Sequence, residues 1–268
     1  MRGIARAFRE SLAKGRAAVI GFLTAGDPRP EYTLRYAEAL VEGGVDILEL
    51  GVPFSDPVAD GVTIQASAQR ALAAGMRLSD ALKLSSEIKR SCQAPIVILS
   101  YLNPIFRMGY RRFFEEASSH GVDGVVVPDL PVEESAEFKE MAQSLGLATI
   151  FLASPTTSEA RLDRVLKAST GFVYLVSLLG VTGVRREVSQ EALKLLERVK
   201  ARRERPYAAV GFGVSAPEHV AMLAKAGAEG VIVGSALVKI VEENLDDLEG
   251  CAQRLRSFAS SLKGAARF

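Results

Sequence analysis

The chain has 268 residues, 48% of them apolar, which suits one large α/β domain or two small ones. Its 33 basic and 32 acidic residues leave a formal charge of +1, so charge supplies no case for nucleic acid or an anionic membrane as partner. Two cysteines, Cys92 and Cys251, make no disulfide framework, and neither stands near a histidine, so a zinc site is not expected.

Residues 2–14 have the pattern of a short amphipathic helix. They lack the continuous apolar core of a signal peptide, and no later run reaches transmembrane length without charges. A cytoplasmic protein is the expectation. A first buried strand is predicted at residues 17–24, stopped by Ala25-Gly26-Asp27-Pro28, and a helix over 30–43 follows. Next comes the apolar run Ile47-Leu48-Glu49-Leu50, in which Glu49 puts a carboxylate where an isolated charge is costly. A Pro/Gly-punctuated loop with two more carboxylates, Asp56 and Asp60, leads on from it. A carboxylate at a strand end followed by an acidic loop suits acid/base chemistry. The plainer alternative pairs Glu49 with a distant Arg or Lys and makes Asp60 the cap of the next helix.

The turn before this strand, Gly43-Gly44-Val45-Asp46, recurs as Gly121-Val122-Asp123 and as Gly227-Ala228-Glu229. Each time glycine closes a helix, an acidic residue sits in the turn and an apolar strand follows. Further strands are predicted at 95–100, 148–152, 172–176 and 207–211. Helical patterns lie near 78–91, 109–119, 131–145, 158–169, 189–204, 216–226 and 245–263. The basic cluster at 200–205 suits the solvated end of a helix.

Eight strand–helix units without a linker point to a single (β/α)₈ barrel domain over residues 1–268, with an extra N-terminal helix. A doubly wound open sheet fits less well, because no Gly-x-Gly-x-x-Gly follows the first strand. In a barrel, chemistry gathers where strands end. Those ends carry Thr24, Glu49, Asn103, Asp129, Ser154, Ser177, Gly211 and Gly234.

The last three loops are glycine-rich: Gly180-Val181-Thr182-Gly183, Gly211-Phe212-Gly213-Val214-Ser215 and Gly234-Ser235. Glycine lets backbone N–H groups approach an anion, and late βα loops are the usual phosphate site of this fold. Ser235 is expected to cap the helix it opens and to donate to phosphate as well. The loop over 177–188, with Arg185-Arg186, is a candidate lid. Tyr174 lies on a buried strand near the rim. His120 and His219 are surface-type residues at helix ends and make neither a triad nor a metal site. Carboxylate acid/base chemistry on a phosphorylated small molecule is what remains.

With these residues in view, the chain resembles the tryptophan synthase alpha chain family over about residues 15–250. The most specific element is Glu49-Leu50-Gly51-Val52-Pro53-Phe54-Ser55-Asp56-Pro57-Val58-Ala59-Asp60-Gly61. Supporting it are Phe22-Leu23-Thr24-Ala25-Gly26, Tyr101-Leu102-Asn103-Pro104, Val127-Pro128-Asp129-Leu130-Pro131 and the three glycine loops. The resemblance implies a lyase of tryptophan biosynthesis that cleaves 1-C-(indol-3-yl)glycerol 3-phosphate to indole and D-glyceraldehyde 3-phosphate. Glu49 matches the general acid/base and Asp60 the carboxylate that accepts the indole N–H. Tyr174 matches a tyrosine near the site. Gly183, Gly213, Gly234 and Ser235 match the phosphate binders. Phe22, Leu99, Thr182 and Phe212 match pocket residues, Thr182 being the one that positions Asp60.

The resemblance further implies an αββα complex with a beta chain that holds pyridoxal phosphate and receives the indole. The alpha chain itself is expected to need no cofactor and no metal. Asp56, Pro57, Asn103, Phe106, Asp129 and Pro131 occupy family positions near that interface. One departure is Leu178-Leu179 before Gly180, where better-known bacterial members carry a more polar pair. A stand-alone lyase that releases free indole and a non-catalytic phosphate-binding barrel are the alternatives.

Overall fold

The computed structural model describes residues 2–176, 190–211 and 213–268. Among these residues, nine strands form one all-parallel sheet: β1 Ala18–Thr24, β2 Ile47–Gly51, β3 Ile96–Leu99, β4 Gly124–Val126, β5 Ala148–Ile150, β6 Leu152–Ala153, β7 Phe172–Leu175, β8 Tyr207–Val210 and β9 Gly230–Val233. Their spatial order is β5-β4-β3-β2-β1-β9-β8-β7-β6. Only Phe151 separates β5 from β6, so the two ends of that order meet. The Phe151 carbonyl accepts the Tyr174 N–H at 3.0 Å across the interruption. The predicted fifth strand is therefore one strand broken at a single residue, and the eight expected positions close into a (β/α)₈ barrel.

The helices are α1 Arg2–Ala13, α2 Pro30–Glu42, α3 Val62–Ala73, α4 Leu78–Cys92, α5 Leu102–Met108, α6 Tyr110–Ser119, α7 Ala136–Ser144, α8 Glu159–Ala168, α9 Gln190–Lys200, α10 Pro217–Lys225, α11 Ser235–Glu242 and α12 Leu248–Ala265. Helix α5 has no counterpart among the predicted elements. Its Asn103-Pro104 start has the look of a loop, yet proline in a first turn displaces an N–H that has no helical partner anyway. Helix α9 stops at Lys200, so the rest of the basic cluster lies beyond it. There Arg202 pairs with Glu159 and Asp163, and Arg205 pairs with Glu229 at 2.6 Å.

Two apolar cores result from the strand alternation. Outward-facing residues such as Leu48, Leu50, Ile96 and Ile98 pack under the helices. Inward-facing Ile20, Ile47, Val97, Ile150 and Ile232 fill the barrel. Helix α1 closes its lower end with Ile4 and Phe8, both fully buried, and the Phe8 ring stacks on Tyr207 at 4.5 Å.

The repeated acidic turn has a structural job. Asp46 donates its N–H to the Val19 carbonyl, and its carboxylate accepts the Val19 N–H at 2.7 Å. Asp123 makes the same exchange with Ile96, and Glu229 makes it with Ala208. Each carboxylate also binds a cation at 2.6 Å, Lys263, Lys89 and Arg205 respectively. Thr170 and Thr149 repeat the exchange with a hydroxyl in place of the carboxylate. These clasps pin the lower rim and leave the upper rim for chemistry.

Candidate active site

Strand alternation sends Ile47 and Glu49 into the barrel while Leu48 and Leu50 face the helices. In register, Glu49 stands between Phe22 of β1 and Val97 of β3, near the upper ends of the strands. Only 1% of Glu49 is exposed, and neither carboxylate oxygen has a hydrogen-bond partner among the described residues. No distant cation among the described residues pairs with Glu49, as the plainer alternative would require. Burial, and then the neighbouring Asp60 carboxylate, push the Glu49 pKa up to about 8. A carboxyl group in this setting holds its proton at neutrality.

Asp60 does not cap α3. The N-cap is Gly61, and no side chain bonds there. The Asp60 carbonyl instead accepts from Gln65 Nε2 at 2.8 Å, and its N–H donates to the Pro57 carbonyl. Partial burial raises its pKa to about 6, against the opposing pull of a hydrogen bond from Tyr101. Two carboxylates thus share one site with their proton affinities held apart, the arrangement that separates an acid from an anion.

Both carboxylates line a cavity of about 920 Å³ at the upper end of the barrel. Phe22, Leu99 and Tyr174 line it as well. Tyr174 faces inward from β7, and burial beside Glu49 and Asp60 raises its pKa well above the usual tyrosine value. Its hydroxyl stays neutral.

The same cavity runs to Gly213, Gly234 and Ser235. Gly213 has φ of +47°, a left-handed conformation that favours glycine. Gly234 is the N-cap of α11, and its carbonyl accepts from Leu237 and Val238. The N–H groups of Ser235 and Ala236 precede the first of those bonds and point out of the helix end. Ser235 is therefore the first helical residue and not the cap, contrary to expectation, and no side chain caps this helix. An anion here would meet backbone N–H groups and the positive end of a helix dipole.

The remaining expected residues separate into two groups. Thr182, Gly183, Phe212 and the candidate lid over 177–188 lie outside the described residues. Asp56, Asn103, Phe106 and Asp129 are exposed on the upper rim, with Pro57 and Pro131 half-buried beside them. Asp129 also ties that rim together, its carboxylate accepting the Leu102 N–H at 2.9 Å. Thr24 is not among the residues lining the cavity, and its hydroxyl bonds that of Ser67. His219 is buried rather than surface-type, and its Nδ1 accepts the Ser215 N–H at 3.3 Å. His120 closes α6 and bonds Ser86.

Tyr101 received no role from the sequence, although it touches the Asp60 loop. An aromatic residue just past a strand carries no signal that its hydroxyl reaches a loop some forty positions earlier.

Comparison with known proteins places this geometry. A family model described as tryptophan synthase alpha chain matches residues 8–267. The chain is 50% identical to the tryptophan synthase alpha chain of Methanoregula boonei, over 94% of this chain and 95% of that one. It is 47% identical to that of Pyrococcus abyssi, over 92% and 98%. Among solved structures it resembles a tryptophan synthase chain of Mycobacterium tuberculosis at 37% identity and a TM-score of 0.89, covering 99% and 98% of the two chains. A chain of the tryptophan synthase complex from Pyrococcus furiosus matches at 46% identity and a TM-score of 0.85, over 93% and 99%.

Proposed function

The chain belongs to the tryptophan synthase alpha chain family, and on that footing we propose that Glu49 moves the protons of its reaction while Asp60 holds the charge that develops on the substrate. The reaction is cleavage of 1-C-(indol-3-yl)glycerol 3-phosphate to indole and D-glyceraldehyde 3-phosphate, a lyase step of tryptophan synthesis. The partner is a tryptophan synthase beta chain.

Breaking the bond between indole C3 and the glycerol carbon requires the ring to become an electron sink. Glu49, protonated at neutral pH, gives its proton to C3. The ring nitrogen becomes cationic, and the Asp60 carboxylate accepts its N–H. The Glu49 carboxylate then takes the proton of the glycerol 3′-hydroxyl on the carbon attached to the ring. The carbon–carbon pair returns to the ring, indole leaves, and an aldehyde remains. Glu49 ends protonated, as it began, so the cycle balances.

The residues around the carboxylates supply binding. Phe22 and Leu99 provide apolar walls for the indole, and Tyr174 fills the barrel side of the cavity. Gly213, Gly234 and Ser235 hold the phosphate, joined by Gly183 on the family motif. Thr182 and Phe212 take the family roles of orienting Asp60 and lining the pocket. Asp56, Pro57, Asn103, Phe106, Asp129 and Pro131 meet the beta chain in an αββα complex, in the cytoplasm. Pyridoxal phosphate belongs to that partner, and this chain's own step uses no cofactor. Residues 1–268 work as one barrel domain.

The observation that carries this reading is Glu49 itself: a fully buried carboxyl without a hydrogen-bond partner among the described residues, lining the cavity that Asp60 shares. Indole release tests it, measured for the chain alone, with a beta chain, and for Glu49→Gln. Slow release alone, acceleration by the partner and near-silence of the variant are expected. Release undiminished in Glu49→Gln would sink the assignment. Fast release without a partner would favour a free lyase.

A further inference from the structure

The loop over residues 52–61 carries Asp60, yet few groups among the described residues hold it. Ser55, Asp56, Val58 and Ala59 are exposed, and Val58 is 83% exposed. Asp60 makes backbone bonds with Pro57 and Gln65, and these set its main chain without aiming its carboxylate.

Tyr101 supplies what those bonds do not. It follows β3, opens α5 and is only 1% exposed. Its ring stacks on Phe54 of the same loop, with centroids 5.3 Å apart. Its hydroxyl accepts the Ala59 N–H at 3.0 Å. A tyrosine hydroxyl has one proton to give, and an N–H cannot take it. Among the described residues, the Asp60 side chain, next in the chain to Ala59, is the acceptor within its reach. We propose that Tyr101 is a positioning residue: it clamps the acidic loop through Phe54 and Ala59 and directs its own proton to the Asp60 carboxylate, fixing that carboxylate toward the ring nitrogen of the substrate. This rests on the function proposed above for Asp60.

Charge adds a second consequence. A hydrogen bond donated to a carboxylate favours its ionised form. Tyr101 opposes the burial that raises the Asp60 pKa. Among the described residues, the other ionisable groups facing this pair are Glu49 from β2, Tyr174 from β7 and Asp129 from the loop after β4. None of these is a cation, so among the described residues Tyr101 is the group that favours the ionised form of Asp60 as pH falls.

Tyr101→Phe keeps the ring and its stacking and removes only the hydroxyl. The test uses the full chain in complex with its beta chain, comparing wild type, Tyr101→Phe and Asp60→Asn across pH 5.5–8.5. In Tyr101→Phe the acid limb of kcat/KM moves up by about one pH unit, so the loss is about fivefold at pH 6 and smaller at pH 8. Carbon-13 NMR of labelled aspartate carboxyls reads the same shift at Asp60 without any turnover. An acid limb and an Asp60 titration that both stay in place overturn the proposal while leaving the Asp60 role intact. A loss equal at every pH also overturns it, since that marks a structural effect. An active Asp60→Asn overturns the role of Asp60, and the proposal with it.

Discussion

The ring of Tyr174 occupies the space where any side chain at Gly211 would stand. A Cβ on Gly211 would meet Tyr174 Cε1 at 2.6 Å and the hydroxyl oxygen at 2.9 Å. Glycine therefore follows strand β8 because β7 presents a large inward side chain beside it. Gly211→Ala must push the tyrosine into the cavity that holds Glu49 and Asp60. A stability loss of about 1–3 kcal/mol is expected in urea unfolding, as for other overpacked sites. A drop of about tenfold or more in kcat/KM should accompany it, because small displacements at reacting centres are costly. Gly211→Ala combined with Tyr174→Phe should not recover full stability, since the ring carbon also blocks the site.

The two carboxylates predict a bell-shaped activity profile. Asp60 must be ionised to accept the indole N–H, and Glu49 must carry a proton to deliver it to C3. With the Asp60 pKa near 6 and that of Glu49 near 8, activity should rise through the first value and fall through the second. The groups interact, so the limbs belong to the pair rather than to either residue. Steady-state kcat/KM from pH 5 to 9 checks this, and a profile flat to pH 9 would contradict the raised Glu49.

Glu49 also loads the fold. Its pKa is about 8 when folded and near 4.5 when unfolded. Below pH 4.5 both states hold the proton and the residue adds no pH dependence. As pH rises toward 8 the unfolded state loses its proton first, so the native state becomes relatively less stable. Glu49→Gln cannot ionise. Its Tm should exceed that of the parent, by more at pH 8 than at pH 5, with a gain on the order of a few kcal/mol at the higher pH. Calorimetry at the two pH values decides it, and equal Tm differences at both would rule the effect out.

The lower-rim clasps predict the opposite separation of stability from activity. Asp123→Ala leaves the Ile96 N–H and the Lys89 ammonium without their shared acceptor. Unfolding free energy should fall by about 2 kcal/mol. Cleavage at 25 °C should stay close to that of the parent, because the clasp is at the end of the barrel away from the cavity. A large kcat change with unaltered stability would contradict this division.

Phe106 is 68% exposed on the upper rim. Burial of such a ring against a partner is worth roughly 2 kcal/mol. Phe106→Ser should therefore weaken binding of the beta chain by about tenfold or more, read by titration of one subunit against the other. Undiminished affinity would remove Phe106 from the proposed interface.

Local pattern was enough to define the eight strand positions, most of the helices and the glycine-rich late loops, because side-chain periodicity and turn chemistry are properties of neighbouring residues. The motif around Glu49 and Asp60 likewise marked both carboxylates. Helix α5 escaped notice because a short helix with proline in its first turn has no periodic run long enough to show. The break at Phe151 lies in a continuous apolar stretch and becomes visible only through the different strands on either side.

What Glu49 does with its charge was a question for the tertiary structure alone. The sequence placed a carboxylate among apolar neighbours but left open a distant cation, since any of 33 basic residues stood available. Folding brought Phe22, Val97 and Asp60 to that carboxylate and no cation among the described residues. The repeated Gly-acidic turns were legible as a pattern, yet their clasp with the preceding strand, and its fourth copy at Thr170, needed segments more than twenty residues apart to meet. Hydrogen-bond partners and burial depend on chain segments that only closure of the barrel makes neighbours. Strand pattern depends on residues that are neighbours already.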